Sequence, residues 1–314
     1  MEDLKVIHHI VDNMEKCIYG KREEIEIIVT ALLAQGHILL EDVPGTGKTV
    51  LMKSLAKSIE GDFHRIQCNP DLLPTDITGV SIYHPREEDF TFRPGPVMTN
   101  LLLVDEINRA TTKTQSALLE AMEERQITMD GKTYALPHPF LVMATQNSID
   151  FEGTYTLPEA QLDRFMFRIS VGYPDKETEM RMILEQNNIH PLQKLQAVTD
   201  VNTLVQLQRK VQEVHLDAEI VRYGVDIVRM TRRHAQIALG ASPRATVALF
   251  KAAKAHALVR QRNYVIPDDI KQIAPYLLGH RIKLKVEAMT SERSEMEMID
   301  GILNSTKVPM RLVK

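Results

Sequence analysis

Only two cysteines, Cys17 and Cys68, occur in the 314 residues, which excludes a disulfide framework and a cysteine-built zinc site. None of the 11 histidines stands at a recognisable ligand spacing, and His8-His9 reads as an exposed pair near the terminus. Apolar runs are short, none approaching the ~18 residues that a membrane-spanning helix needs. The N-terminus carries Glu2 and Asp3 and lacks an apolar signal-peptide core, so a soluble, cytoplasmic protein with no membrane span is expected. A basic excess is missing too. The formal net charge of −4 argues against a broad nucleic-acid surface, and the short cluster Arg229, Arg232 and Arg233 reads as a solvated helix face. There are no internal repeats or low-complexity tracts. What is left is ordinary for a globular protein, 44% hydrophobic and 25% charged, with length for one or two domains and a sizeable core.

Against that background one stretch stands out, Glu41-Asp42-Val43-Pro44-Gly45-Thr46-Gly47-Lys48-Thr49. It follows the apolar run Ile38-Leu39-Leu40 and precedes Val50-Leu51-Met52-Lys53-Ser54-Leu55, whose apolar positions recur at helical spacing. A strand, a glycine-containing loop ending in Gly-Lys-Thr and a helix make the context of a phosphate-binding loop. Backbone N–H groups at a helix start point at the ligand, and the helix dipole favours negative charge there. Pro44, Gly45, Thr46, Gly47, Lys48, Thr49 and Val50 are therefore candidate contacts to the phosphates of a nucleotide. Lys48 would reach the β- and γ-phosphates, and the Thr49 hydroxyl would ligate Mg²⁺. The usual pattern opens with glycine, where this chain has Asp42, yet Pro44-Gly45-Thr46-Gly47 can still form an amide nest.

Leu101-Leu102-Leu103-Val104-Asp105-Glu106 supplies the partner motif. Four apolar residues before an acidic pair read as a strand buried on both faces, as in a parallel sheet. Asp105 then emerges at the strand's carboxyl end, where ligands sit in open α/β sheets. There it can hold Mg²⁺ through water, and Glu106 can be the base that polarises the attacking water.

Elsewhere, helices are expected over 22–35, about 48–59 and about 113–124, and strands over 37–40, 63–67, 101–104, 140–145 and 165–169. Alternating strands and helices imply an α/β core with a parallel sheet. Residues 69–96 carry Pro70, Pro74, Gly79, Pro85, Pro94, Gly95 and Pro96 and lose periodicity, so about 72–93 is expected to project as an insertion. Gln126–Met129, Asp130-Gly131 and Lys132–Leu136 read as a hairpin on a tight primed turn. After Gly172-Tyr173-Pro174 the strands are expected to stop, with helices over 175–188, roughly 200–214, 217–236, 243–259 and 268–278 and a flexible connection near 189–199. The division is a nucleotide-binding core at 1–174, a helical linker or insert at 175–216 and an α-helical lid at 217–314.

Taken in order, the motifs resemble the MoxR family of AAA+ ATPases, relatives of the magnesium-chelatase ATPase subunit. The resemblance rests on the phosphate loop, Val104-Asp105-Glu106-Ile107-Asn108-Arg109-Ala110, Ala144-Thr145-Gln146-Asn147, Leu157-Pro158-Glu159-Ala160-Gln161-Leu162-Asp163-Arg164-Phe165 and Leu239-Gly240-Ala241-Ser242-Pro243-Arg244-Ala245. It runs from about residue 15 to about residue 285. It implies an AAA+ αβα core followed by an all-α lid. It further implies that Asn147 is the sensor-1 residue orienting the attacking water, and that Arg164 is the arginine finger reaching a neighbouring subunit's nucleotide. Such a fixed charge at the γ-phosphate can be worth ~10³-fold or more in rate. Arg244 matches sensor 2, acting on its own or a neighbour's nucleotide. Ile18-Tyr19-Gly20 matches the segment packing on adenine, and equally suits ordinary core before the first helix. The insertion and the hairpin match elements that point toward the pore or the client in related rings. Ser148 and Thr156 stand where the family usually has proline.

The resemblance implies Mg²⁺-dependent ATP hydrolysis in a homo-oligomeric ring, expected to be a hexamer, that remodels or matures a client protein. The expected partner carries a von Willebrand factor A domain on a separate polypeptide, since this chain lacks the Asp-x-Ser-x-Ser motif. Two other readings stay open: an assembly scaffold that binds ATP without needing turnover, and a nucleic-acid motor. Charge counts against the motor.

Overall fold

The computed structural model describes residues 2–41, 46–86, 88–146, 154–185, 191–289 and 294–309. Helices α1 (Glu2–Glu15) and α2 (Arg22–Leu33) lead into β1 (Ile38–Glu41), α3 (Lys48–Ser58) and β2 (Phe63–Gln67). A short α4 (Pro74–Thr78) and the hairpin β3 (Gly79–His84)–β4 (Asp89–Pro94) follow. The core continues with β5 (Leu101–Asp105), α5 (Thr112–Glu124), the hairpin β6 (Gln126–Met129)–β7 (Lys132–Ala135), β8 (Leu141–Gln146), α6 (Glu159–Leu162) and β9 (Phe167–Ile169). Beyond it come α7 (Lys176–Glu185), α8 (Pro191–Lys194), α9 (Val201–Glu213), α10 (Ala218–Arg233), β10 (Ile237–Leu239), α11 (Pro243–Val259), α12 (Pro267–Leu278), β11 (Lys283–Leu284), α13 (Val286–Met289) and α14 (Glu295–Ser305).

The central sheet is parallel, in the order β2-β5-β8-β1-β9. Its strands are buried on both faces, and their two-residue period sorts them between two cores. Ile38, Leu40, Leu101, Leu103, Leu141 and Met143 face the core beneath α1, α2 and α3, whereas Leu39, Leu102, Val104, Val142 and Ala144 face the one beneath α5. The order has a direct consequence for chemistry. Because β8 lies between β5 and β1, the carboxyl ends of all three strands are neighbours, at the edge where ligands bind in such sheets.

The lid is helical and shares the first of these cores, with α11 packed on α2 and α12 against β9. Two features differ from the expectations. Strands do not stop at residue 174, because β10 and β11 form a short antiparallel ladder within the lid. Residues 191–199 are tied down, since the N–H groups of Val198 and Thr199 both donate to the Ser58 carbonyl, at 3.0 and 3.1 Å. In addition, α9, read as part of a connector, packs on α2 and α11.

The insertion has regular structure of its own. In β3–β4, Gly79 pairs with Pro94 and His84 with Asp89, and Tyr83 and Phe90 lie exposed with ring centroids 5.2 Å apart. Phe92 stacks on Tyr134 of β7 at 4.3 Å, so the insertion leans on the second hairpin. That hairpin turns as expected, with φ of 50° at Asp130 and 74° at Gly131.

Candidate functional site

Gly47 caps α3 in the left-handed conformation, with φ 83°, which turns the chain into the helix and leaves the first N–H groups of α3 facing outward. Thr46, Lys48, Thr49 and Val50 are half-buried around it. Asp42, Pro44 and Gly45 of the loop, and the sensor-1 candidate Asn147 with Ser148, lie outside the described residues. Beside the helix start is a cleft of about 420 Å³ lined by Ile18, Tyr19, Thr46, Gly47, Val50 and Val171, with Met182 and Ile183 of α7 as a far wall. Ile18 also belongs to the main core, so its side chain is shared between the core and the cleft wall. Arg181 of α7 sits over the Tyr19 ring, 4.8 Å from its centroid. Thr178 packs against Gly20, its Oγ1 3.1 Å from where a β-carbon would stand. A mostly apolar slot opening onto a helix N-terminus suits a flat base joined to phosphates. A larger, more polar cleft of about 700 Å³ lies beyond Tyr19, between Lys16 and Lys194.

The acidic pair is held by a compact set of bonds. Asp105 is nearly buried, and its Oδ2 accepts from Arg65 Nε at 2.6 Å. Thr145, at the end of β8, donates its hydroxyl to Asp105 Oδ1 at 3.4 Å and accepts the Glu106 N–H at 2.8 Å. One side chain thus braces both acids. Glu106 adopts a left-handed backbone, φ 56° and ψ 53°, a conformation costing about 1–2 kcal/mol for a residue with a β-carbon and concentrated at functional sites. Its Oε2 accepts from Gln67 Nε2 at 3.1 Å and from Arg109 Nη1 at 3.0 Å. Cys68 donates its N–H to the Asp105 carbonyl at 2.9 Å. Burial, then the nearby Asp105 and Glu106 carboxylates, push its thiol up to about 12, so it stays protonated and inert.

Mg²⁺ is a hard cation that takes oxygen ligands and usually keeps several waters beside one or two protein groups and substrate phosphates. The Thr49 hydroxyl and the Asp105 carboxylate are donors of that kind. One hydroxyl and one carboxylate suit an ion whose remaining ligands are phosphate oxygens and water.

Arg164 and Arg244 stand apart. Neither is among the residues lining the cleft. Both guanidiniums pair instead with one atom, Oε2 of Glu123 on α5: Arg164 Nε at 3.5 Å, and Arg244 through Nη2. The motifs did not point to Arg65, Gln67, Arg109, Glu123 or Thr145 as site residues. The available signal was polar residues at alternate positions of β2, Arg65 and Gln67, on a strand that pairs with β5.

The geometry agrees with what the chain resembles. Residues 37–167 match the family described as "ATPase family associated with various cellular activities (AAA)", and residues 229–302 match the AAA lid domain. The chain is 50% identical over 311 residues to the uncharacterised protein YeaC of Bacillus subtilis, covering 99% of this chain and 97% of that one. It is 42% identical to Chaperone MoxR1 of Mycobacterium tuberculosis, over 98% of this chain and 83% of that one, and 28% identical to Protein MoxR of Methylorubrum extorquens, over 94% and 92%. A crystal structure of a Cytophaga hutchinsonii protein assigned as an ATPase superposes with a TM-score of 0.89 at 39% identity, covering 98% of this chain and 96% of that one.

Proposed function

The chain belongs to the MoxR family of AAA+ ATPases, and we propose that it hydrolyses ATP with Mg²⁺ at a site completed by a second copy of itself. The observation that carries this reading is the pairing of two arginines with Glu123, apart from the cleft, while Lys48 and Thr49 follow β1 and Asp105 and Glu106 end β5, on either side of β8 at the carboxyl edge of the sheet. A hydrolase needs positive charge at the γ-phosphate, and charge that faces away from a subunit's own cleft can serve an adjoining one.

In this reading Ile18, Tyr19 and Gly20 receive the adenine, and Pro44–Val50 cradle the phosphates with Lys48 as the fixed cation. Thr49 and Asp105 would hold Mg²⁺, which would neutralise charge on the phosphates when bound. Glu106 takes the proton of the attacking water, which Asn147 orients, and Arg164 and Arg244 act on the nucleotide of the next subunit. Residues 1–174 work as the core and 217–314 as the lid, with α9 of the segment 175–216 packed on α2 and α11 between them. Six copies would close a ring in the cytoplasm. The exposed Tyr83 and Phe90 of the insertion offer an apolar surface to a client protein, with a separate von Willebrand factor A domain protein as partner.

Mixing variants tests the shared site. Arg164→Ala is expected to bind ATP and turn it over about 10³-fold more slowly. Lys48→Ala should be inactive through its own loop, and mixed assemblies should regain part of the activity because each copy supplies what the other lacks. Mixed assemblies as inactive as either variant alone would place Arg164 in its own subunit's chemistry.

A further inference from the structure

Arg164 and Arg244 come from different parts of the chain, yet residues one and two positions before them are bonded to each other. The Ser242 hydroxyl donates to Asp163 Oδ2 at 3.0 Å. Asp163 directly precedes Arg164 in the core, and Ser242 precedes Arg244 by two residues at the start of α11. The other carboxylate oxygen of Asp163 accepts from Arg281 Nε at 2.6 Å. Arg281 comes from the lid, its side chain only 3% exposed, and it also donates to the carbonyls of Asp163 at 3.0 Å, Phe165 at 2.6 Å and Met166 at 3.0 Å. The segment carrying Arg164 is thus gripped from the lid by one buried guanidinium. The tip carrying Arg244 is bolted to that same segment by one hydroxyl. Beyond this joint both arginine side chains converge on a single oxygen of Glu123.

We infer that the Ser242–Asp163 hydrogen bond sets Arg164 and Arg244 in register as a two-pronged clamp for one phosphate of an adjoining subunit, which makes Ser242 a positioning residue for hydrolysis. The inference rests on the proposed role of the two arginines. A phosphoryl group presents several oxygens to guanidinium forks, and each prong helps only if its placement relative to the other is maintained. Two prongs rooted in separate units are as well placed as the bond joining their roots, and a misplacement of about 1 Å can cost about 10²-fold in rate.

Ser242 has a second task, which the test must hold constant. Its hydroxyl accepts the Ala245 N–H at 3.2 Å and so caps α11. Aspartate and asparagine cap helices about equally well and have nearly the same shape. They differ at Asp163, because the asparagine amide can donate to that carboxylate whereas an aspartate places a second negative charge against it. Ser242→Asp and Ser242→Asn in the full-length chain should therefore both keep the α11 cap and similar affinity for ATP. The second charge lowers the unfolding midpoint of Ser242→Asp alone, so kcat is read well below either midpoint. The expected result is a fall in kcat of at least about tenfold for Ser242→Asp, most of it recovered in Ser242→Asn. Equal kcat in the two variants, alongside a large loss in Arg164→Ala and Arg244→Ala, overturns the joint and leaves the arginine roles standing. Full turnover in Arg164→Ala and Arg244→Ala removes the arginine roles and the joint with them.

Discussion

Gln67, the last residue of β2, donates its side-chain amide to Glu106 Oε2 at 3.1 Å across the carboxyl end of the sheet. The oxygen so engaged belongs to the group assigned as the base for water, and it also accepts from Arg109. A carboxylate oxygen already held by two donors is less free to accept a hydrogen bond from the attacking water. Gln67→Ala should release one donor and raise basal ATP turnover about two- to fivefold, read as kcat with ATP affinity unchanged. Equal or lower kcat would mean that Gln67 orients the base rather than restrains it.

Thr145 is the buried brace between the acids. In Thr145→Val the shape is kept and the hydroxyl lost, leaving the Glu106 N–H without its acceptor. An unsatisfied N–H costs about 1–3 kcal/mol when buried and less at this partly buried position, so the unfolding midpoint in urea should fall by up to that amount. Turnover should fall more than tenfold by the order-of-magnitude cost of misplacing a catalytic carboxylate, because the left-handed turn at Glu106 loses its support. Isothermal denaturation and steady-state kinetics on the same preparation check both.

Much of this arrangement is readable from sequence because burial and turn chemistry leave strong patterns. The apolar runs of β1, β5 and β8, the Asp130-Gly131 turn, the largely apolar α2 and the amphipathic α5 all carry such a pattern. The hairpin β3–β4 is harder to read. Val80, Ile82, Phe90 and Phe92 do alternate with polar residues, but Pro85, Pro94 and Pro96 around them suggest loop, and the hairpin is mostly exposed. The convergence of Arg164 and Arg244 on Glu123 leaves no sequence signal, since the pairing residues are far apart in the chain and an exposed helical glutamate looks like solvated surface. Nor does a motif mark Arg281, whose role depends on the lid folding back onto the segment at 163–166.

Glu123 occupies the guanidiniums that the account assigns to a neighbour's phosphate, so assembly must exchange one anion for another. Partly exposed ion pairs are worth about 1 kcal/mol or less each. Glu123→Gln should therefore lower the protein concentration for half-maximal activity by about fivefold or less per pair, and leave kcat at saturation and overall stability close to wild type. Sedimentation and concentration-dependent turnover measure it. An unchanged assembly concentration contradicts the exchange.

His37 predicts a pH dependence of stability unrelated to catalysis. Its Nδ1 accepts the Val142 N–H at 3.0 Å and its Nε2 donates to the Met122 carbonyl at 3.1 Å, which fits the neutral ring. Burial is the main cause of a pKa lowered from 6.5 to about 4. Because the folded value lies below the unfolded one, the unfolded chain binds the proton first as pH falls. The stabilisation is fully present above about pH 6.5 and is lost progressively toward pH 4, with a total of about 3 kcal/mol. His280, buried and lowered for the same main reason, adds in the same direction. Urea midpoints taken from pH 7.5 to 4.5 should fall steadily, and His37→Gln should be weaker at pH 7.5 but show a shallower slope.

The most direct measurement is steady-state ATP hydrolysis per subunit as a function of protein concentration, with Glu106→Gln as control. The account predicts activity that rises with concentration to a plateau and is lost by about 10²-fold or more in the variant, which still binds ATP. Activity per subunit independent of concentration down to the monomer would contradict a site completed by a second copy. Nucleotide binding with no turnover at any concentration would instead mark this chain, on its own, as a scaffold.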